Sequence, residues 1–513
     1  MGTLTIRADA MNAALRLFRD ILPFRQQMAE RESSDVRELL DNVAGLSAGE
    51  VAAQLTTTVI PAVVDQDNLT MRFKLLEDTR QEAETALPVL ERQIDSSVLP
   101  MPRAVKNSAL AADNLLKTLA AAYFDIAKAV AQGGHQKSNI HLLQRTVNRA
   151  MLLITRRQNL AYRSYTRPSS TAWLMMHELY QIVRDQRVRH PGTNISALEQ
   201  QYLSALLFAY LDPSKLPRQE LAAGIFCTQQ LAMHAAIIKI TPETQLCHPN
   251  SPCFLVRPDQ GNPGTSLLRL PKGTQLVGAF LVDCTVVLEA LNKCAEQSDY
   301  GEPTLDIPPA LLQALQMAIG HQALRRHPRT RFSPRADLVC GIGDVIAFLE
   351  GNPVSRRASD QAARSEQRNF SPSEWSLIDQ SPEGFLVRFL QGEQWQVGAG
   401  SIIALQPRES REAHVCLVRR IANSDDGKLE LGLQALAPKI NVIRLPGHGE
   451  TRRGLFLHRM PAYGNRPGII ARPGHLASGH KIKLGSAENS RLLQIGRRLE
   501  AADGFELFAL VPL

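Results

Sequence analysis

Long apolar runs are missing from this chain. The best, Leu276 to Leu288, is broken by Asp283 and falls short of the roughly 18 residues that a membrane-crossing helix needs, which excludes a transmembrane protein. The N-terminus lacks the basic-then-apolar run of a secretory signal: Arg7 and Asp9 lie in a helical-looking pattern, and Ile6 stands where a myristoylation signal needs Ser or Thr. A cytoplasmic protein is the expectation. Cysteine is scarce and odd in number, seven residues at Cys227, Cys247, Cys253, Cys284, Cys294, Cys340 and Cys416. Such scatter fits no disulfide framework and predicts reduced core residues. The excess of one charge sign is also small, 58 basic against 50 acidic residues for a net +8. It favours anionic partners without choosing among nucleic acid, nucleotide and lipid.

With 44% hydrophobic and 21% charged residues the composition is that of a folded chain, not a disordered one. At roughly 150 residues per domain, 513 residues suggest three or four domains. From Met11 to about Ile240 apolar residues recur near a 3.6 period, as in Leu76, Thr79, Ala83, Leu87, Leu90, Ile94 and in Leu116, Leu119, Tyr123, Ile126, Val130. Prolines and glycines mark the joints at Pro100, Pro102, Gly133, Gly134, Pro168 and Pro213 without a fixed repeat. A helical domain over residues 1–245 is expected.

From Pro249 to Gly273 the texture changes to Asn, Pro, Gly and short runs such as Cys253 to Val256, which predicts a small mixed α/β subdomain over 246–308. Helical spacing resumes from Pro309 to Ala323 and ends at Arg325-Arg326-His327-Pro328-Arg329. Short strand-like runs follow at Leu386 to Leu390, Ser401 to Leu405, Val415 to Ile421 and Leu429 to Leu433. They predict a small β-barrel over 309–440. The insertion 351–371, poor in apolar residues, is expected to be a flexible loop. Strand candidates continue at Gly454 to His458, Gly468 to Ala471, His480 to Leu484, and Leu492 to Leu499 paired with Phe505 to Leu510 across Ala502-Asp503-Gly504. These predict a β-rich module over 441–513. The expected fold class is multidomain α+β: an all-α N-terminal domain, an antiparallel β-barrel and a small β-rich C-terminal module.

Two motifs carry chemistry: Arg325 to Arg329, an RxxxR spacing, and Asp379-Gln380-Ser381-Pro382-Glu383-Gly384, a DxSxxG spacing. In this order they resemble the PilZ domain, a bacterial receptor for cyclic di-GMP built on a six-stranded barrel. The resemblance extends to Trp395-Gln396-Val397-Gly398 before Ile402 to Leu405, and to Leu429-Glu430-Leu431-Gly432-Leu433-Gln434, covering about Arg325 to Pro438. The stretch between the motifs is longer than PilZ domains usually have, and a local helix at Asp344 to Leu349 with a loop accommodates it. The ligand's phosphates and guanines suit guanidinium groups that pair bidentately and stack on purines. The resemblance therefore implies ligand binding by Arg325 and Arg329, with Asp379 accepting from the guanine N1 and N2 donors, Ser381 donating or accepting nearby, and Gly384 leaving room for a close turn.

Other candidates have plainer readings. Cys247, His248 and Cys253 lack the four ligands of a familiar metal site, so no metal and no cofactor beyond the cyclic di-GMP ligand is expected. His177, on the apolar helix from Trp173 to Tyr180, reads as a core histidine, and no catalytic triad or paired carboxylates emerge from spacing. Gly341-Ile342-Gly343 lacks the third glycine of a dinucleotide loop. The basic stretch Arg145, Arg149, Arg156, Arg157, Tyr162, Arg163, Tyr165, Arg167 suits either nucleic acid or solvated helix faces. The chain is thus expected to be a non-enzymatic signalling receptor that couples cyclic di-GMP in the barrel to a protein partner of the helical domain. The alternatives are a ligand-free scaffold of the same fold and an RNA- or DNA-binding protein using the basic helices.

Overall fold

The computed structural model describes residues 34–133, 137–189, 196–240, 251–271, 274, 276–297, 307–320, 330–331, 334–351, 372–393, 397–410, 412–424, 426–445, 452–484, 491–502 and 504–512. The first half is helical. Helix α1 runs through Ala48–Gln54, a π-helical turn at Leu55–Val59, and Ile60–Val64; α2 is Leu69–Asp95, α3 Arg103–Gln132, α4 Lys137–Arg163, α5 Ser170–Arg189, α6 Ser196–Tyr210 and α7 Arg218–Leu231. Their starts are set locally. Ser47 and Glu50 form a reciprocal capping box at α1, and the Asn68 carboxamide oxygen accepts from Thr70 N at 3.0 Å and Met71 N at 3.1 Å at α2. Each long helix buries one stripe, for α3 Leu115, Leu116, Leu119, Tyr123, Ile126 and Val130, so burial of the 3.6-period face holds the array together. Among the described residues, no helix is long and apolar enough to cross a membrane.

The helical period does not reach Ile240. The chain leaves the helices after His234 and forms strand β1, Ala236–Lys239, which pairs antiparallel with β4, Phe280–Asp283. Consecutive β-branched Ile237 and Ile238 favour this extended pairing over another helical turn. With β2, Cys253–Val256, and β3, Thr265–Ser266, they build a four-stranded sheet in the order β1-β4-β2-β3. Helices α8, Thr285–Gln297, and α9, Pro309–Ile319, follow. Helix α9 is capped at Gly320, where an added Cβ would meet Leu288 at 3.0 Å; the expected continuation to Ala323 lies outside the described residues.

The next strands are β5 Thr330–Arg331, β6 Arg335–Cys340, β7 Ser373–Ser381, β8 Gly384–Gln391, β9 Ile402–Pro407, β10 His414–Asn423 and β11 Leu429–Ala435, with helix α10, Ile342–Glu350, after β6. The pairings β7-β6-β9-β10-β11-β8 return to β7, closing a six-stranded barrel. Strand β5 pairs with the same edge of β7 beyond β6. Trp375, Leu377, Phe385, Val387, Ile403, Leu405 and Leu433 fill the interior, in a core continuous with that of the helices.

Strands β12 Ile440–Leu445, β13 Arg452–Met460, β14 Arg466–Ala471, β15 Lys481–Leu484, β16 Arg491–Ala502 and β17 Phe505–Pro512 complete the chain as an antiparallel sheet. One of its faces packs with α10 on the outside of the barrel, through Leu455, Leu457, Ile470 and Leu507 against Ile402, Ala404, Val415 and Leu417. The fold is therefore multidomain α+β, with helices first, a PilZ-type barrel next and a β-rich module last. Arg325, Arg329, Cys247, His248, Trp395, Gln396 and residues 352–371 of the insertion lie outside the described residues.

Candidate functional site

The second motif is a strand end, a two-residue turn and a strand start. Ser381 and Gly384 are the last facing pair of β7 and β8, with Pro382 and Glu383 as the turn between them. The Ser381 hydroxyl donates to the Gly384 carbonyl at 3.3 Å, and Ala435 N donates to the Glu383 carbonyl at 3.0 Å, tying the turn to β11. Gly384 also faces Gln434 on β11. A Cβ added to Gly384 would stand 1.9 Å from the Leu433 carbonyl oxygen, well inside any real contact. Glycine is required here by the approach of a neighbouring strand.

A bulge sets the direction of Asp379. Leu377 faces Val387 and Asp379 faces Leu386, so Ile378 is one extra residue on β7. Without it Asp379 would follow Trp375 and Leu377 into the barrel. With it, Asp379 shares a face with Leu386, opposite to the buried Phe385 and Val387, and sits half-buried on the outer wall. The backbone of β5 runs alongside: Arg331 faces Asp379 and Thr330 faces Gln380. Asp379, Ser381 and Gly384 are thus brought together at one hairpin end.

The remaining candidates are committed elsewhere. His177 is 1% exposed; its Nδ1 lies 2.7 Å from the Tyr202 hydroxyl and its Nε2 2.9 Å from the Asn262 carbonyl oxygen. Burial lowers its pKa, the Asn262 carbonyl opposing, so the neutral ring donates from Nε2 and accepts from Tyr202. It is a core histidine joining the helices to the loop of the small sheet. The basic helix α4 is laced to its neighbours by ion pairs. Arg149 donates to Glu77 at 3.0 Å, Arg156 to Glu91 and Glu84 at 2.7 Å each, and Arg157 to Asp113 at 2.7 Å; Arg163 pairs with Asp95 and Glu91. Arg145 lies 4.7 Å over the Phe73 ring. Glu77 also accepts from the buried Tyr123 hydroxyl at 2.7 Å. A cleft of about 870 Å³ is lined by Arg80, Arg149, Arg156, Arg163 and Arg218, together with Glu84 and Asp95. These arginines brace the helices. Among the described residues no group of three or more His, Cys, Asp or Glu side chains is disposed to hold a metal; Cys253 is buried, with its Sγ 3.7 Å from Asp283 Oδ1.

Sequence reasoning missed a second bulge, on β10. Val418 faces Leu433 and Arg420 faces Gly432, leaving Arg419 as the extra residue. The two arginines reach different neighbours: Arg420 Nε donates to the Ser214 hydroxyl of the helical domain at 3.2 Å, while Arg419 Nη2 donates to Glu500 at 2.7 Å and to the Tyr463 hydroxyl at 3.0 Å in the last module. Only pairing between β10 and β11 reveals it, which no local pattern encodes.

A closed six-stranded barrel bearing an Asp-x-Ser-x-x-Gly hairpin and following a helical domain defines a PilZ-domain protein of composite type. Two family models match the chain: "Cyclic-di-GMP receptor FimW, N-terminal domain" over residues 34–243, and "Cyclic-di-GMP receptor FimW, middle PilZ domain" over residues 349–441. The chain belongs to this family of PilZ-domain receptors with an N-terminal helical domain. It is similar to the cyclic-di-GMP receptor FimW of Pseudomonas aeruginosa, at 22% identity over 558 aligned positions spanning 92% of this chain and 89% of the relative. No solved structure matches it. The middle-domain match includes Asp379, Ser381 and Gly384 and begins after Arg325 and Arg329.

Proposed function

We propose that the chain is a cyclic di-GMP receptor, not an enzyme, and that the nucleotide sits on the outer wall of the barrel between the hairpin Asp379–Gly384 and the chain leading into β5. The observation that carries this reading is the register of β5 on β7, which sets Thr330 opposite Gln380 and Arg331 opposite Asp379. One peptide link before Thr330 is Arg329, and four residues earlier is Arg325. Guanidinium groups there meet the ligand's phosphates and guanine edges in charge-assisted, bidentate pairs. Asp379 takes the N1 and N2 donors of a guanine, and Ser381 adds a hydroxyl.

Coupling to the helical domain runs through the β10–β11 hairpin. Asn423 N donates to the Tyr165 carbonyl and Asn423 Nδ2 to the Ser164 carbonyl, both at 2.8 Å, and Arg420 reaches Ser214. A cavity of about 410 Å³ beside them is lined from both sides, by Ser164 and Arg157 and by Asn423, Ser424 and Gly427. The helical domain in turn presents the signal to a protein partner in the bacterial cell. Calorimetric titration with cyclic di-GMP, with GTP and a short RNA as controls, tests the reading. Saturable binding of cyclic di-GMP alone is expected; binding of the RNA with none of the cyclic dinucleotide would overturn it.

A further inference from the structure

The last module repeats the barrel. Counting β6 to β11 as first to sixth, the barrel sheet opened at its first strand reads first, second, third, sixth, fifth, fourth. The sheet β12-β13-β14-β17-β16-β15 reads in the same order. The irregularities recur as well. In both units the hairpin of the second and third strands carries a bulge on the second strand near the turn, between Leu377 and Asp379 in one and between Leu457 and Met460 in the other. In both, the fifth strand is bulged against the sixth, at Val418/Arg420 and at Ile495/Arg498/Glu500. Leu445, Ile469, Leu476, Ile482, Leu493, Ile495 and Phe508 form this unit's own core. Leu445 of the first strand and Ile482 of the fourth share that core although the two strands do not pair, as in a barrel left open at one seam.

The chemistry of the first hairpin is not repeated. Residues 452–471 contain neither Asp nor Ser, and no arginine lies between Arg420 and the unit's first strand, which begins at Ile440. The turn is lengthened instead, through Pro461–Tyr463 and the left-handed Gly464 and Asn465, and its Tyr463 is docked on the first barrel. The Tyr463 hydroxyl donates to Glu500 of its own module at 2.6 Å and accepts from Arg419 of the first barrel at 3.0 Å, while Arg419 Nε donates to Gln434 Oε1 at 2.7 Å. Burial disfavours the Arg419 charge, but the hydrogen bonds and charge of Glu500 outweigh it and raise the guanidinium's pKa. Burial likewise pushes Glu500 up, and Arg419 and Tyr463 bring it below the usual carboxylate range. The pair therefore stays ionised and joined at neutral pH.

Gln434 is the residue that faces Gly384 of the motif. Hairpin, Gln434, Arg419 and Glu500 with Tyr463 form one unbroken series of contacts from the nucleotide hairpin to the corresponding hairpin of the second unit. Resting on the reading of the site given above, we propose that residues 440–512 are a second PilZ-type barrel that takes no nucleotide and serves as a further output element of the first, beside the helical domain, sensing its occupancy through Arg419. A ligand that moves β8 against β11 shifts Gln434 and with it Arg419, whose side chain bonds to both units.

The test compares hydrogen exchange of the full chain with and without cyclic di-GMP, with binding followed by calorimetry. Wild type should show protection at 379–384 together with altered exchange in 452–471 and 491–502. The variant Arg419→Met/Glu500→Leu removes both charges at once, so no buried ion is stranded, and Tyr463→Phe removes only the hydroxyl. Both should bind within about threefold of wild type, an allowance of less than 1 kcal/mol, and protect 379–384. The double variant should lose the distal change and the single one should reduce it. If wild type binds and protects the hairpin while 452–471 and 491–502 exchange unchanged, or if the double variant keeps the distal change, the output role is refuted and the site stands. If wild type shows no heat of binding, the site reading itself fails and the output role with it.

Discussion

Replacing Gly384 by alanine sets a methyl carbon 1.9 Å from the Leu433 carbonyl oxygen and 3.0 Å from its carbon. Ordinary contact begins at about 3.4 Å, so β8 and β11 would have to part by more than an ångström where Gly384 faces Gln434. The clashing partner is backbone, which rotamer change cannot relieve. Overpacking of this kind costs about 1 to 3 kcal/mol, equivalent to about 5- to 150-fold in the opening equilibrium of the two strands. Native-state hydrogen exchange reads this directly, as faster exchange of the β8 and β11 amides. Gly398→Ala is the control, because its Cβ would meet nothing nearer than the Ser401 hydroxyl at 3.9 Å and should change exchange by less than about twofold. If Gly384→Ala exchanges like wild type in β8 and β11, the close approach is not what requires glycine in the motif.

Tyr123→Phe should destabilise the helical domain by about 1.5 to 3 kcal/mol, the worth of a hydrogen bond to a charged group, since the buried hydroxyl donates to Glu77; urea unfolding followed by helix dichroism measures it. His177 should make stability depend on pH: its folded pKa lies below the ordinary value of about 6.5, so the unfolded chain binds the extra proton. That contribution is fully present above about pH 6.5 and is lost as pH falls from there toward the folded value. Melting curves of wild type should show this loss, and those of His177→Gln should be flatter over the same range.

The helices were legible because each buries one stripe, and β8 to β11 and β13 to β17 because short apolar runs end in turn residues. Strand β6 escaped for a physical reason: Ala336 and Leu338 face the barrel interior while Val339 packs outside against α10 and the last module, so the alternation that marks a half-buried strand is absent. Asp379, Ser381 and Gly384 stand out as a motif, but their arrangement rests on partners far along the chain. The Leu433 carbonyl that demands Gly384 is on β11, and the bulge at Ile378 that turns Asp379 outward shows only against β8. The repeated strand order of the last module was likewise hidden, because its hairpin 452–471 carries no trace of the motif. Arg419 looked like one more basic residue until the register of β10 placed it between two units.

The central claim is that cyclic di-GMP is held between the arginines ahead of β5 and the Asp379–Gly384 hairpin. The most direct measurement is calorimetric titration of wild type, Arg329→Ala and Asp379→Ala with cyclic di-GMP, with exchange of the helices confirming that each variant is folded. Each substitution should remove charge-assisted contacts worth about 1.5 to 3 kcal/mol, weakening binding by roughly tenfold to more than a hundredfold. Folded variants that bind as tightly as wild type would contradict the account.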